Sequence, residues 1–182
     1  GSSQNHMIFD SVRGTEATLW PNDDWAEDSY SGEGVSAFNS NGVTIGNSGN
    51  LNVNSDTYVM WSWKESASAG FDIVGYTGTG ANADVSHSLG VAPEAMFIKD
   101  RDTADDWRVW WNGVTDSNDK YLTIQGDNAL ISGGSAKWNG TPTSSVFKVS
   151  SDGSVNRSND DYIAYLFSSV EGHCKVGTYV GN

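Results

Sequence analysis

The chain has 182 residues, of which Gly, Ser, Asn, Thr and Asp supply 91. Such residues disfavour helix interiors, through backbone entropy or competing side-chain hydrogen bonds, so a helical bundle is excluded. The 8 Trp, 7 Tyr and 6 Phe suit pleated, half-buried surfaces instead. Acidic residues outnumber basic ones 23 to 10, giving a net charge of −13. No basic run exists to neutralise phosphates or an anionic membrane surface, so neither nucleic acid nor lipid is an expected partner. The single cysteine, Cys174, excludes an intrachain disulfide.

In chain order, Gly1 to Met7 read as a cloning remnant, and the fold is expected to begin at Ile8. The segment Trp20-Pro21-Asn22-Asp23-Asp24-Trp25 reads as a turn, and Asn41-Gly42 as a tight one. The run from Tyr58 to Trp63 alternates Val59, Trp61 and Trp63 against Tyr58, Met60 and Ser62, with apolar residues on both faces. That pattern predicts a central strand. Further strands are expected at 71–77, 95–99, 107–111, 121–125, 146–149, 162–167 and 176–180, separated by Gly, Asn, Asp and Ser turns. No amphipathic helix is predicted. No stretch reaches the ~18 consecutive apolar residues of a membrane span. Short strands with frequent turns specify an all-β fold, an antiparallel sandwich or jelly roll.

An internal likeness organises these strands. Asp56-Thr57-Tyr58-Val59-Met60-Trp61-Ser62-Trp63 matches Asp160-Asp161-Tyr162-Ile163-Ala164-Tyr165-Leu166-Phe167 at an offset of 104 residues. Downstream, Val74-Gly75-Tyr76-Thr77-Gly78 is matched by Val176-Gly177-Thr178-Tyr179-Val180-Gly181 with a one-residue gap: Val74-Gly75 lies opposite Val176-Gly177 at an offset of 102, and Tyr76 and Gly78 opposite Tyr179 and Gly181 at 103. The expected organisation is a repeated unit of about 102 to 104 residues: the later part of one unit at 8–69, a complete unit at 70–172, and the first strand of another at 173–182, as an excerpt from a tandem array or with the true unit boundary circularly shifted, packed as one or two sandwiches.

Chemistry-bearing patterns are sparse. His87 and His173 lack the spacing of a Ser-His-Asp or Cys-His arrangement, no HExxH or paired Cys/His ligand set occurs, and no phosphate-cradling glycine loop is present. No catalytic residue is assigned, and a non-enzymatic protein without a required cofactor is expected. The run Asp100-Arg101-Asp102-Thr103-Ala104-Asp105-Asp106 offers oxygen ligands suited to a hard cation, so Asp100, Asp102, Asp105 and Asp106 are the calcium candidates. Arg101 inside that run and the absence of the DxDxDG order favour a solvated turn. Aromatic platforms amid Asp and Asn also suit sugar rings, which present apolar C–H faces within a rim of hydroxyls. Trp107, Trp110, Trp111, Trp138, Trp20 and Trp25 are the glycan-binding candidates, with aromatic packing as the alternative. Trp61 and Trp63, matched by Tyr165 and Phe167, are expected in the core.

The segments Gly70-Phe71-Asp72-Ile73-Val74-Gly75-Tyr76-Thr77-Gly78, His87-Ser88-Leu89-Gly90-Val91-Ala92-Pro93-Glu94, Ile98-Lys99, Asp106-Trp107 and Tyr162 to Phe167, with the opening Ile8-Phe9-Asp10-Ser11-Val12-Arg13-Gly14, carry a family likeness. This set resembles a tandem-repeat domain of unknown function in structural, tail-fibre-like or adhesin-like proteins of marine tailed phages. The resemblance implies a virion or extracellular surface location, and a structural or host-receptor-binding role with surface glycans as candidate partners. It also implies homotrimers or end-to-end packing with further repeats. It transfers no catalytic residue. The competing expectation is a carbohydrate-binding module of a secreted polysaccharide-active protein.

Overall fold

The computed structural model describes residues 5–181. Its strands are β1 (Ile8–Asp10), β2 (Gly14–Leu19), β3 (Asp28–Ser29), β4 (Val35–Asn39), β5 (Gly42–Ile45), β6 (Phe71–Thr77), β7 (Ala83–Ser86), β8 (Ala95–Asp100), β9 (Arg108–Trp111), β10 (Lys120–Tyr121), β11 (Ile131–Ser132), β12 (Val146–Val149) and β13 (Asp161–Phe167). Among the described residues the α-helical content is one turn, α1 (Gly153–Asn156), whose Asp152 cap accepts the Ser154 N–H. The all-β expectation holds, in a sandwich-like form.

The centre is a four-stranded antiparallel sheet in the order β6-β13-β8-β9. β13 lies between two partners: Tyr162 faces Tyr76 on one side and Asp100 on the other, and Phe167 faces Phe71 and Ala95. The 162–167 run needs apolar residues on both faces because both are covered. Tyr162, Ala164 and Leu166 point into one core with Met96, Ile98, Trp110 and Trp138. Phe147 and Val149 of β12, with Ala83 and Val85 of β7, close that side. Ile163 and Tyr165 point the other way, into a second core with Phe71, Trp107 and Leu19 of β2, against which Ile8 of β1 also packs. Alternation along one strand therefore builds two cores.

Outside these layers, Asn41-Gly42 sits in the β4–β5 hairpin, where Asn39 pairs with Gly42. The expected strand at 121–125 contracts to the pair Lys120 and Tyr121 against β11. Two expected strands are absent. Residues 57–63 and 175–180 carry no strand hydrogen bonding, and Val59, Trp61, Tyr179 and Val180 stand in solvent. A segment becomes a strand only when a neighbouring strand takes its N–H and C=O groups; neither has one, and in the second the Val176 N–H goes to the Ser169 hydroxyl oxygen at 3.1 Å. The likeness of 57–63 to β13 therefore extends to sequence, not to environment.

Candidate binding surface

Six tryptophans were candidates for sugar platforms, and the structure sorts them. Trp107, Trp110, Trp138 and Trp20 are buried, at 4% exposure or less, and so cannot present a face to a ligand. Each of their ring N–H groups with a resolved partner is spent inside the protein: Trp107 donates to the Trp20 carbonyl at 2.8 Å, Trp110 to Asn118 at 3.3 Å, and Trp138 to the Lys120 carbonyl at 2.9 Å. These residues are core, because a large aromatic beside an apolar layer gains more from burial than from solvent. Trp111 is half-buried, and Trp25 is half-exposed, edge-on to Trp20 at 5.3 Å.

The expectation for Trp61 and Trp63 is reversed as well. They are 73% and 64% exposed, and Tyr58, Val59 and Met60 are exposed beside them. Six consecutive residues thus offer three aromatic rings, a valine and a methionine to solvent, the kind of apolar patch that marks an interaction site on a soluble protein. Sequence could not separate the two tryptophan groups, since Trp107 and Trp110 sit in an apolar run much like that of Trp61 and Trp63, while Trp20 and Trp138, though buried, sit among polar turn residues. The missing signal was partnership: β9 has β8 beside it, whereas 57–63 has nothing.

The acidic run 100–106 forms an ion-paired turn. The Asp100 carboxylate accepts the N–H groups of Asp102 and Thr103 on one oxygen and the Tyr162 hydroxyl on the other. Asp102 accepts the Asp161 N–H at 2.6 Å. Asp105 and Asp106 both pair with Arg108, at 2.9 and 2.7 Å. Asp100 and Asp102 are spent on backbone N–H and hydroxyl donors and Asp105 and Asp106 on Arg108, so the four do not share a centre. Among the described residues no group of three or more His, Cys, Asp or Glu side chains converges on a point where a metal ion could sit. Burial pushes the Asp100 carboxyl up from its ordinary range against the opposing pull of those donors. Next to it, Lys99 is fully buried, and its ammonium donates to the carbonyls of Asp100 at 2.7 Å and Thr103 at 3.4 Å. Burial pulls that amine down to about 8, against the opposing attraction of Asp100, Asp105, Asp24 and Asp106.

A second charged cluster, which the sequence did not signal, joins β1 and β2 to the central sheet. Asp10 accepts the Arg13 guanidinium at 2.5 Å and the Tyr165 hydroxyl at 2.6 Å. Glu27 then receives Arg13 at 3.0 Å and Arg101 in a fork at 2.7 and 2.8 Å. Burial would raise the Glu27 pKa, but the hydrogen bonds from Arg101 and Arg13 outweigh it and hold it below the usual value. Tyr165 is pushed far up by burial. With the Arg13 side chain fully buried and the Asp10 side chain nearly so, this cluster fastens a layer and leaves no group free for a substrate. Beside it, a shallow, open cleft of about 480 Å³ runs between β2 and β3.

A family model described as a domain of unknown function, DUF7483, matches residues 1–182. The chain belongs to that family. The DUF7483 match includes residues 1–7, expected above to be a cloning remnant; within them, Asn5 and His6 hydrogen-bond Asp23 and Asn22. No curated protein and no solved structure matches the chain. Among the described residues no helix is long and apolar enough to cross a membrane.

Proposed function

We propose that this DUF7483 chain is a non-enzymatic structural or receptor-binding module of an extracellular or virion surface fibre, one in a series of like units, contacting surface glycans through exposed aromatics. The observation that carries this reading is the solvent-facing aromatic segment Tyr58 to Trp63, with Trp25 half-exposed elsewhere on the first 69 residues. An aromatic ring held in solvent stacks on the C–H face of a sugar, and Asp and Asn side chains supply acceptors and donors for its hydroxyls. A fibre presenting many such weak sites gains avidity from their number. The phage context rests on the sequence resemblance described above.

A glycan array combined with a polysaccharide hydrolysis assay tests this. Binding to a surface glycan without turnover is the expected result, and Trp61→Ala with Trp25→Ala should abolish it at an unchanged melting temperature. Turnover of a polysaccharide would replace the fibre reading by that of a polysaccharide-active protein, and absence of binding across the array would remove the receptor role.

A further inference from the structure

The two exposed segments that lack strand partners, 57–63 and 175–181, correspond in sequence to β13 and β6, and β13 and β6 are each other's partners in the central sheet. Sequence is not the only correspondence. Immediately before β6 the chain reverses in a turn closed by a reciprocal pair of hydrogen bonds between Ser66 and Phe71. Immediately before the 175–181 segment it reverses in a turn closed by a reciprocal pair between Val170 and Cys174. Each turn contains a glycine in the left-handed region, Gly70 at φ 74° and Gly172 at φ 79°. The order is therefore the same twice over: a β13-type segment, a glycine turn, a β6-type segment.

We propose that the β6-type segment 175–181 of one copy pairs antiparallel with the β13-type segment 57–63 of a second copy of this chain. The inference rests on reading the chain as a run of like units. The register follows from the observed pairing, in which Tyr162 faces Tyr76, Ile163 faces Gly75, Ala164 faces Val74 and Tyr165 faces Ile73. Transferred at offsets of 104 and 102 residues, it sets Tyr58 opposite Thr178, Val59 opposite Gly177, Met60 opposite Val176 and Trp61 opposite Lys175. Each segment supplies the backbone donors and acceptors that a strand partner would take, the strand-addition mode of recognition; in 175–181 the Val176 N–H is held by Ser169 Oγ at 3.1 Å and would either keep that bond or exchange it on pairing. Because donor and acceptor lie at different places on one molecule, the contact is head-to-tail and propagates into an open chain of copies.

Two measurements on the whole chain decide it. Light scattering should show a mass rising with concentration. Val59→Pro or Met60→Pro should abolish that rise for whichever residue carries a ladder N–H, and Thr178→Pro should weaken it. All three positions are exposed and outside strands, so the melting temperature should not move. In a Cys174→Ser background, a mass-tagged Met60→Cys copy mixed with a Val176→Cys copy should form the mixed disulfide on oxidation. Met60→Cys mixed with Gly177→Cys should form at least tenfold less, since a one-residue slip turns the side chains to opposite faces. A concentration-independent monomer, no register preference, or a disulfide forming only inside a single chain that carries both cysteines would each overturn the proposal. Association without glycan binding would leave it standing and remove the receptor role alone, whereas glycan binding by a strict monomer would do the reverse.

Discussion

Trp107 and Trp61 make an instructive pair. Both stand in alternating apolar runs flanked by polar turns, yet Trp107 is 1% exposed and Trp61 73% exposed. Trp107 lies in the half of the chain where β6, β13, β8 and β9 hydrogen-bond to one another and both sheet faces are covered. Trp61 lies in the half where the hairpin β4–β5 and the layer β1-β2-β3 are small and the connecting chain is extended without partners. Trp107, just before β9, is core because Leu19, Phe71, Ile163 and Tyr165 pack around it and the Trp20 carbonyl takes its ring N–H, whereas Trp61 has no such layer beside it; hydrophobicity alone does not decide the matter.

The sharpest way to break this comparison is the matched pair of truncations. Trp107→Ala should destabilise by about 3–5 kcal/mol in a denaturant titration, through lost burial and the cavity left behind. Trp61→Ala should change the same midpoint by no more than about 0.5 kcal/mol. Equal losses would mean that the 57–63 segment is packed in solution. Next in size, Arg13→Ala should cost about 3–5 kcal/mol by stranding Asp10 beside the Tyr165 hydroxyl. Trp20 fluorescence should report release of the β1–β3 layer before the central sheet unfolds, because the pair lies at their junction.

The pH dependence of the two halves should also differ. Lys99, in the sheet, titrates near 8 when folded and near its ordinary 10.5 when unfolded. Between those values the unfolded chain binds the extra proton, so stability should climb with pH by up to about 1.4 kcal/mol per unit. The climb should stop near pH 10, where Tyr76, Tyr162 and Tyr165, all raised by burial, begin to ionise in the unfolded chain first. Lys99→Met should flatten the climb in chemical-denaturation curves taken at pH 7.5 and 9.5. Glu27 acts with the same sign but in an acidic window. Its folded pKa is depressed by Arg101 and Arg13, so its stabilisation is complete above the ordinary glutamate value and is lost as pH falls through the folded one. Near-ultraviolet circular dichroism followed downward from pH 5 should show the first layer loosening, and Glu27→Gln should abolish that phase. The smallest expected effect is at Trp63, where Ala substitution should leave the melting temperature within a degree or so.

Much of the sheet was legible in the sequence because its strands announce themselves twice. The 71–77 and 146–149 runs have the expected limits, and the doubly apolar 162–167 run is one of the sheet's two interior strands. The first 46 residues were opaque for a physical reason. β1, β3 and β5 are two to four residues long, too short for a period of two to stand out from turns. Their attachment depends on ions set far apart in sequence, Asp10 and Arg13 with Glu27, Arg101 and Tyr165, and no local pattern shows such convergence. The tryptophan candidates failed for a related reason, since polar neighbours such as Asn118 and the Lys120 carbonyl turned out to satisfy buried indole N–H groups.

The pairing of Phe71 with Phe167 has a mechanical consequence. Residues 70–172, taken as one unit under the proposal above, receive the chain at the start of β6 and return it at the end of β13, and those two points are cross-strand neighbours. Tension passed along a string of such units would thus enter and leave at one corner of the sheet. The load would open the β6–β13 ladder one rung at a time from that corner, as a zipper does, instead of shearing all seven rungs together. Under that proposal, extension should begin at low force, with one compliant element in every unit.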